Sequence, residues 1–425
     1  MLPSRSPNSS IATISARALV HCALLLGCGL ARVGAQQLPS LPAITRDSAV
    51  SLALAHGSRA AVASATARSA AARVREAGAF ANPLLSASYS KSLPQYHASV
   101  DLPLDFLTLR GLRVASARSS SEAAQLRLAF ERAAIRLDVD TSYTIASARR
   151  ARARLSLRNA VDAESLLTIA AVRRSAGDAS DLDVDVARIS AGRARNIAVA
   201  DSQAAVAATL QLQQTIGLSP GRETIAIADS LDVPRVDTSV TRDSTNETHA
   251  TSLTVAAAQQ DLRAANQTLA LERRNLWSGL ALQAGVENHD PTGAEPGLLP
   301  TFGVSIPLPL FNQGQGAIAV AEAERDRARA ELAAAERESA ALVARERSAL
   351  AAASQRVARD RTLVETANRV ARLSLQAYVE GAYPLTTVLE AQRNARDTLA
   401  DLIDDLVAVN TAAAALRLYT GMTSK

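Results

Sequence analysis

The sequence predicts a mainly α protein with a small β part, made of two copies of one structural unit and of long, thin helices. Three observations predict it. The 425 residues are 48% hydrophobic but only 3% aromatic, and alanine supplies much of the apolar content. Two helical patterns, Gly111 to Ser175 and Gly314 to Glu380, each run about 65 residues without an internal proline, about 100 Å at 1.5 Å per residue. The chain also repeats itself at a constant offset. Alanine has the best helix propensity and lets helices approach closely. A compact core instead needs large side chains, because burial stabilises by about 25 cal/mol per Å² of apolar surface.

The repeat is anchored by proline and glycine. Val100-Asp101-Leu102-Pro103-Leu104 matches Val304-Ser305-Ile306-Pro307-Leu308, an offset of 304 − 100 = 204. Gly177 and Ala187 match Gly381 and Ala391 at that same spacing, and Ala115, Ala117, Ala124, Leu128 and Ala129 stay in register between the anchors. Self-similarity at one period marks a duplicated unit. The domain organisation is therefore a leader over 1–35, a first repeat over 36–216, a connecting segment over 217–248 and a second repeat over 249–425.

Each unit has the same order of elements. A helix from Asp47 to Ala79 stops before Asn82-Pro83, where proline disfavours helix in the residue ahead of it. Two short strands follow, Leu84 to Lys91 and Tyr96 to Leu104. In the first, Leu85, Ala87, Tyr89 and Lys91 alternate with Leu84, Ser86, Ser88 and Ser90. In the second, Ala98, Val100, Leu102 and Leu104 form the apolar set. A hairpin with one apolar and one polar face is expected. The long helix then runs to Ser175, Gly177 stops it, and Asp178 to Asp181 offers N-caps for a helix to Gln214. The second unit reads as a helix Ala250 to Arg274, a strand Ser278 to Glu287, a Pro/Gly-rich loop Asn288 to Pro300 and a strand Thr301 to Leu308. The long helix and a last helix, Leu385 to Tyr419, complete it.

The first residues have the form of an export signal. Arg5 and Arg17 precede the apolar run Ala18 to Leu30, too short for a comfortable bilayer-spanning helix, and Val33-Gly34-Ala35 is a small-residue cleavage site. A competing site, Leu25-Leu26-Gly27-Cys28, would make Cys28 a lipidated residue. Both cysteines, Cys22 and Cys28, fall in this segment. The formal charge of +5 includes Arg5, Arg17 and Arg32, so the exported chain carries 5 − 3 = +2. Arginines and acids alternate along the helices, which gives no nucleic-acid footprint.

Helices of this length need neighbours along their whole length. A two-stranded hairpin is marginal alone, and four strands cannot close a membrane barrel. Closure demands several chains. Three copies would supply twelve strands, four per chain, for a transmembrane β-barrel, and twelve helical elements, consistent with one continuous tube. Trp277, Tyr89 and Phe302, near strand ends, suit an aromatic girdle or packing on neighbouring helices.

The stretch Gly303-Val304-Ser305-Ile306-Pro307-Leu308-Pro309-Leu310-Phe311-Asn312-Gln313-Gly314-Gln315-Gly316, leading into an Ala/Glu/Arg helix, resembles the strand-to-helix junction of TolC-like outer-membrane factors. Tyr378-Val379-Glu380-Gly381 with Val388-Leu389-Glu390-Ala391 is similar to their periplasmic helix tip, and Gly177 to Ala187 matches it in the first unit. The wording Pro-Leu-Pro-Leu-Phe-Asn is similar to the heavy-metal branch, the CzcC- and CusC-type channels. The resemblance implies a homotrimer in outer-membrane lipid, with a long α-helical barrel reaching into the periplasm beneath the transmembrane β-barrel, coupled through a periplasmic adaptor to an inner-membrane pump. Its cargo would be metal cations or small toxic compounds, with type I protein secretion as the alternative. A periplasmic coiled-coil scaffold or lipid-binding protein is a different class of reading, and it leaves the paired hairpins unexplained.

Carried over by position, Tyr378 would bond Asp183 at the tip and Glu390 would line the constriction. Gly177 and Gly381 would sit where the adaptor docks, and Pro103 and Pro307 would turn strand into helix. Tyr383 and Thr387 stand where better-known members carry an arginine and a second acid, so ordinary solvated roles stay open. Asp181, Asp183 and Asp185 lack the glycine and terminal glutamate of a calcium loop. The histidines left after export, His56, His97, His249 and His289, are too scattered for a metal-ligand motif. No nucleophile motif or phosphate loop is present, so neither enzyme activity nor a cofactor is expected.

Overall fold

The computed structural model describes residues 43–92, 94–105, 109–218, 225–231, 252–275, 278–288 and 297–420. The expected export signal with Cys28, the residue Trp277 and most of the connecting segment lie outside these residues.

The chain begins with α1 (Arg46–His56) and α2 (Ser58–Ala77), then β1 (Leu84–Tyr89) and β2 (Tyr96–Pro103). The first long helix, α3 (Arg110–Ser175), and α4 (Asp181–Ile216) complete the first repeat. The second repeat holds α5 (Leu253–Arg274), β3 (Ala281–Asn288), β4 (Leu298–Ser305), α6 (Gln315–Val379) and α7 (Leu385–Thr420). The order matches the expectation in both units.

Two details differ from it. The first helix is divided at Gly57, whose backbone is extended at φ −68° and ψ 131°. A Cβ at this position would collide with the Ala53 carbonyl oxygen, so the break is built for glycine. In the second hairpin the strand begins at Leu298, inside the expected Pro/Gly-rich loop, and ends before Pro307. Pro300 is accommodated because β4 is an edge strand of the sheet within this chain. The shift moves Phe302 from a strand end to mid-strand.

The two hairpins join into one antiparallel sheet of order β1-β2-β3-β4. The joint is β2 against β3, with Tyr96 opposite Asn288 and Pro103 opposite Ala281. Four helices form two antiparallel pairs, α3 with α4 and α6 with α7, and α5 packs between α3 and α6.

Alanine-rich faces bury little per residue, so packing concentrates in three clusters. One joins α1, α3 and α4 through Val50, Val139, Tyr143, Leu212 and Ile216, and adds Ile225 and Ile227 from the segment after the first repeat. Tyr143, fully buried on α3, stitches that region. Its hydroxyl donates to the Ile44 carbonyl at 2.9 Å and accepts from the Asp229 amide at 3.1 Å. Burial pushes its pKa up to about 12. A second cluster lies between α6 and α7, around Leu350, Val357 and Val409. The third sits at the helical tips.

Candidate functional site

The tips are set by two matching helix ends. In α3 the Asp178 amide donates to the Arg173 carbonyl at 2.9 Å and Gly177 to Arg174 at 3.0 Å. In α6 the Ala382 amide donates to Ala377 at 2.8 Å and Gly381 to Tyr378 at 3.0 Å. Both are Schellman motifs, with Gly177 at φ +89° and Gly381 at φ +81°. Only glycine holds this left-handed geometry without strain. The matched anchors of the sequence are thus matched turns in space.

Beneath the turns lies a shared core of Leu166 and Ala170 from α3, Val184 and Ala187 from α4, Tyr378 from α6, and Leu385 and Val388 from α7. It ties the two helical hairpins to each other. Val184 and Val388 occupy the same position of the two repeats (388 − 184 = 204).

Tyr378 is 3% exposed, and its hydroxyl has no hydrogen-bond partner among the described residues. Asp183 stands close enough to act on it electrostatically, but its carboxylate closes a capping box at the start of α4. It accepts from the Ser180 amide at 3.1 Å and from the Ser180 hydroxyl at 2.9 Å. The expected Tyr378–Asp183 bond is therefore not formed within the chain. Burial raises the Tyr378 pKa most, Arg173 lowers it, and Asp183 raises it again.

The residue that engages Tyr378 is Arg173, which sequence reasoning missed. Its guanidinium lies 4.7 Å from the centre of the Tyr378 ring, and Nη1 donates to the Tyr378 carbonyl. Nη2 donates to the Asp178 carbonyl at 3.3 Å. One side chain thus caps its own helix end, stacks on the opposite hairpin and bonds it. An arginine in a chain rich in arginines gives no signal by itself. Only its place one turn before Gly177 could have marked it.

Glu390 is exposed on α7, one residue before Ala391, which is buried. Pro103 ends β2, and Pro307 follows β4 by two residues, packing against Gly279. Both stand between strand and helix.

At the other end the register assigns each strand residue to a face. On one face Leu85, Ala87 and Tyr89 align with Val100, Ala98 and Tyr96, then with Ala284, Val286 and Asn288, and then with Phe302, Pro300 and Leu298. This face is apolar and exposed, Phe302 at 83%. The Tyr89 and Tyr96 rings meet at 5.2 Å at one end of it. The opposite face carries Ser86, Ser88, His97, Ser99, Asp101, Gln283, Glu287 and Thr301. A Gln283–Ser99 hydrogen bond of 3.3 Å crosses it. A Cβ at Gly285 would press on Thr301 Oγ1 and Ser99, so that position must be glycine. No described helix is long and apolar enough to cross a membrane.

A sheet apolar on one face and polar on the other is thus continued by paired long helices. The family described as outer membrane efflux protein matches residues 245–422, the second repeat. No curated protein matches the sequence. Among solved structures the CusC channel superposes with a TM-score of 0.71 at 15% identity, covering 89% of this chain and 92% of its own. VceC of Vibrio cholerae gives 0.69 at 14%, covering 88% and 96%. CmeC of Campylobacter jejuni gives 0.70 at 11%, covering 88% and 85%. The family match covers the second repeat, and the fold shared with these channels extends across the first.

Proposed function

We propose that three copies of this chain assemble into a passive exit duct of an efflux system for metal cations or small toxic compounds. The observation that carries this reading is the sheet. Four strands with two free edges and one exposed apolar face suit closure with like sheets in a bilayer, where every backbone group must be paired. Exposed apolar residues along the helices, Leu157 and Val161 on α3, Ile189 and Ile197 on α4, and Leu363 and Leu373 on α6, support neighbouring copies along the helical part as well. The turns at Gly177 and Gly381 would then face a periplasmic adaptor, and the pump behind it would supply the energy. Tyr378 and Arg173 would hold the tip closed, with Asp183 fixing the start of α4 beside them, and Glu390 would line the passage. Outer-membrane secretion of proteins is the alternative within the same architecture.

Conductance in planar bilayers tests the reading. The purified protein is expected to give discrete cation-preferring channels, and Glu390→Gln to lower that preference by moving the reversal potential toward zero. Absence of any conductance in a reconstituted protein contradicts the duct. An unmoved reversal potential removes Glu390 from the constriction.

A further inference from the structure

His97 and Glu287 form a pair that neither the fold nor the proposed gate uses. They are direct cross-strand partners on β2 and β3, on the polar face of the sheet. Nδ1 of His97 stands 3.4 Å from Oε2 of Glu287. That is longer than the roughly 2.7–3.2 Å of a good N–H···O bond. It equals the separation of two atoms that each lie about 2.1 Å from one tetrahedral ion, about 3.4 Å. Imidazole and carboxylate are both ligands of zinc-like divalent ions.

The surroundings favour a cation. The four strands contain no lysine or arginine, whereas Asp101 adds a second carboxylate to the same face. Ser88 lies opposite His97 on β1 and brings a hydroxyl to that side of the pair. The side chains are 43% and 28% exposed, so an ion can reach them and keep water in its remaining positions.

We propose that His97 and Glu287 form a weak docking site for a divalent transition-metal ion of the zinc type, one per chain. Two protein ligands give an exchangeable site, suited to a passing ion. That the site lines the inside of a duct rests on the channel reading; the pairing of the two residues in one chain does not.

Zinc ion titrated calorimetrically into the untagged, detergent-solubilised protein tests this, with helical circular dichroism confirming that each variant folds. One weak site per chain is expected. His97→Gln and Glu287→Gln should each weaken it about tenfold or more, the loss of one ligand from a small set. Asp101→Asn, which alters only the local field, should change it by less than about threefold. Binding unchanged in the first two variants, or lost only when His249 or His289 is replaced, overturns the proposal. If the protein proves to be a soluble monomer whose zinc binding still follows His97 and Glu287, the site stands and the duct reading falls.

Discussion

At the tip the contact formed between the hairpins is that of Arg173 with Tyr378, while the expected Tyr378–Asp183 bond is not formed within the chain. Asp183 is committed to its own helix start, so the link between hairpins falls to a guanidinium that stacks on Tyr378 and bonds its carbonyl. A stacked arginine with planar donors suits this better than a lysine would. Replacing Arg173 by alanine should loosen the tip and raise single-channel conductance and sensitivity to bulky antibiotics, and Tyr378→Ala should do the same. Unchanged conductance in both variants would take the latch away from this site. The hydroxyl of Tyr378, by contrast, bonds nothing among the described residues, so Tyr378→Phe should leave thermal stability nearly unaltered while Tyr143→Phe does not. Tyr143 holds one donor and one acceptor in a fully buried site, and its loss should cost about 1–3 kcal/mol in denaturant unfolding. At this scale the sequence was legible where a residue is dictated by backbone geometry. Gly177 and Gly381 were placed by their repeat spacing, because a left-handed turn leaves glycine little competition. Arg173 was not, because its role depends on a helix 205 residues away in sequence.

Elements were legible wherever one local rule sufficed. Proline-free, alanine-rich runs gave the two long helices within a residue or so of their observed ends, and alternation gave the faces of β1 and β2 correctly. The break at Gly57 was missed because glycine is tolerated in helices, and only the nearby Ala53 carbonyl and Gly217 make it a corner. The start of β4 was missed because Pro300 argues against a strand unless the strand lies at an edge. Between α6 and α7 the packing carries an electrostatic cost. Burial, together with Asp405 and Asp401, raises the Asp360 carboxyl above its ordinary 3.8. One oxygen of Asp360 has no donor among the described residues, and Arg356 is already bonded to Asp405 at 2.7 Å. A carboxyl raised in the folded state favours folding while protonated, and that contribution is lost as pH rises through its folded value. Asp360→Asn, neutral at every pH, should therefore raise the Tm at about pH 7 and give little or no gain at about pH 4. A gain of equal size at both values would assign the effect to packing instead.

For the whole molecule, the parts make sense only in company. A sheet with two free edges and an exposed apolar face, above helices that also expose apolar residues, is, among the described residues, unsatisfied as a monomer in water. The sequence already required several chains, by the arithmetic of strands and barrel closure. What it could not supply was the joint between β2 and β3, since pairing between residues 96–103 and 281–288 is non-local and leaves no local signature. The measurement that tests the central claim most directly is the mass of the particle extracted by detergent from an isolated outer-membrane fraction, corrected for bound detergent. A particle of three chains is the expected result. A monomer or dimer recovered from the soluble periplasm would contradict it.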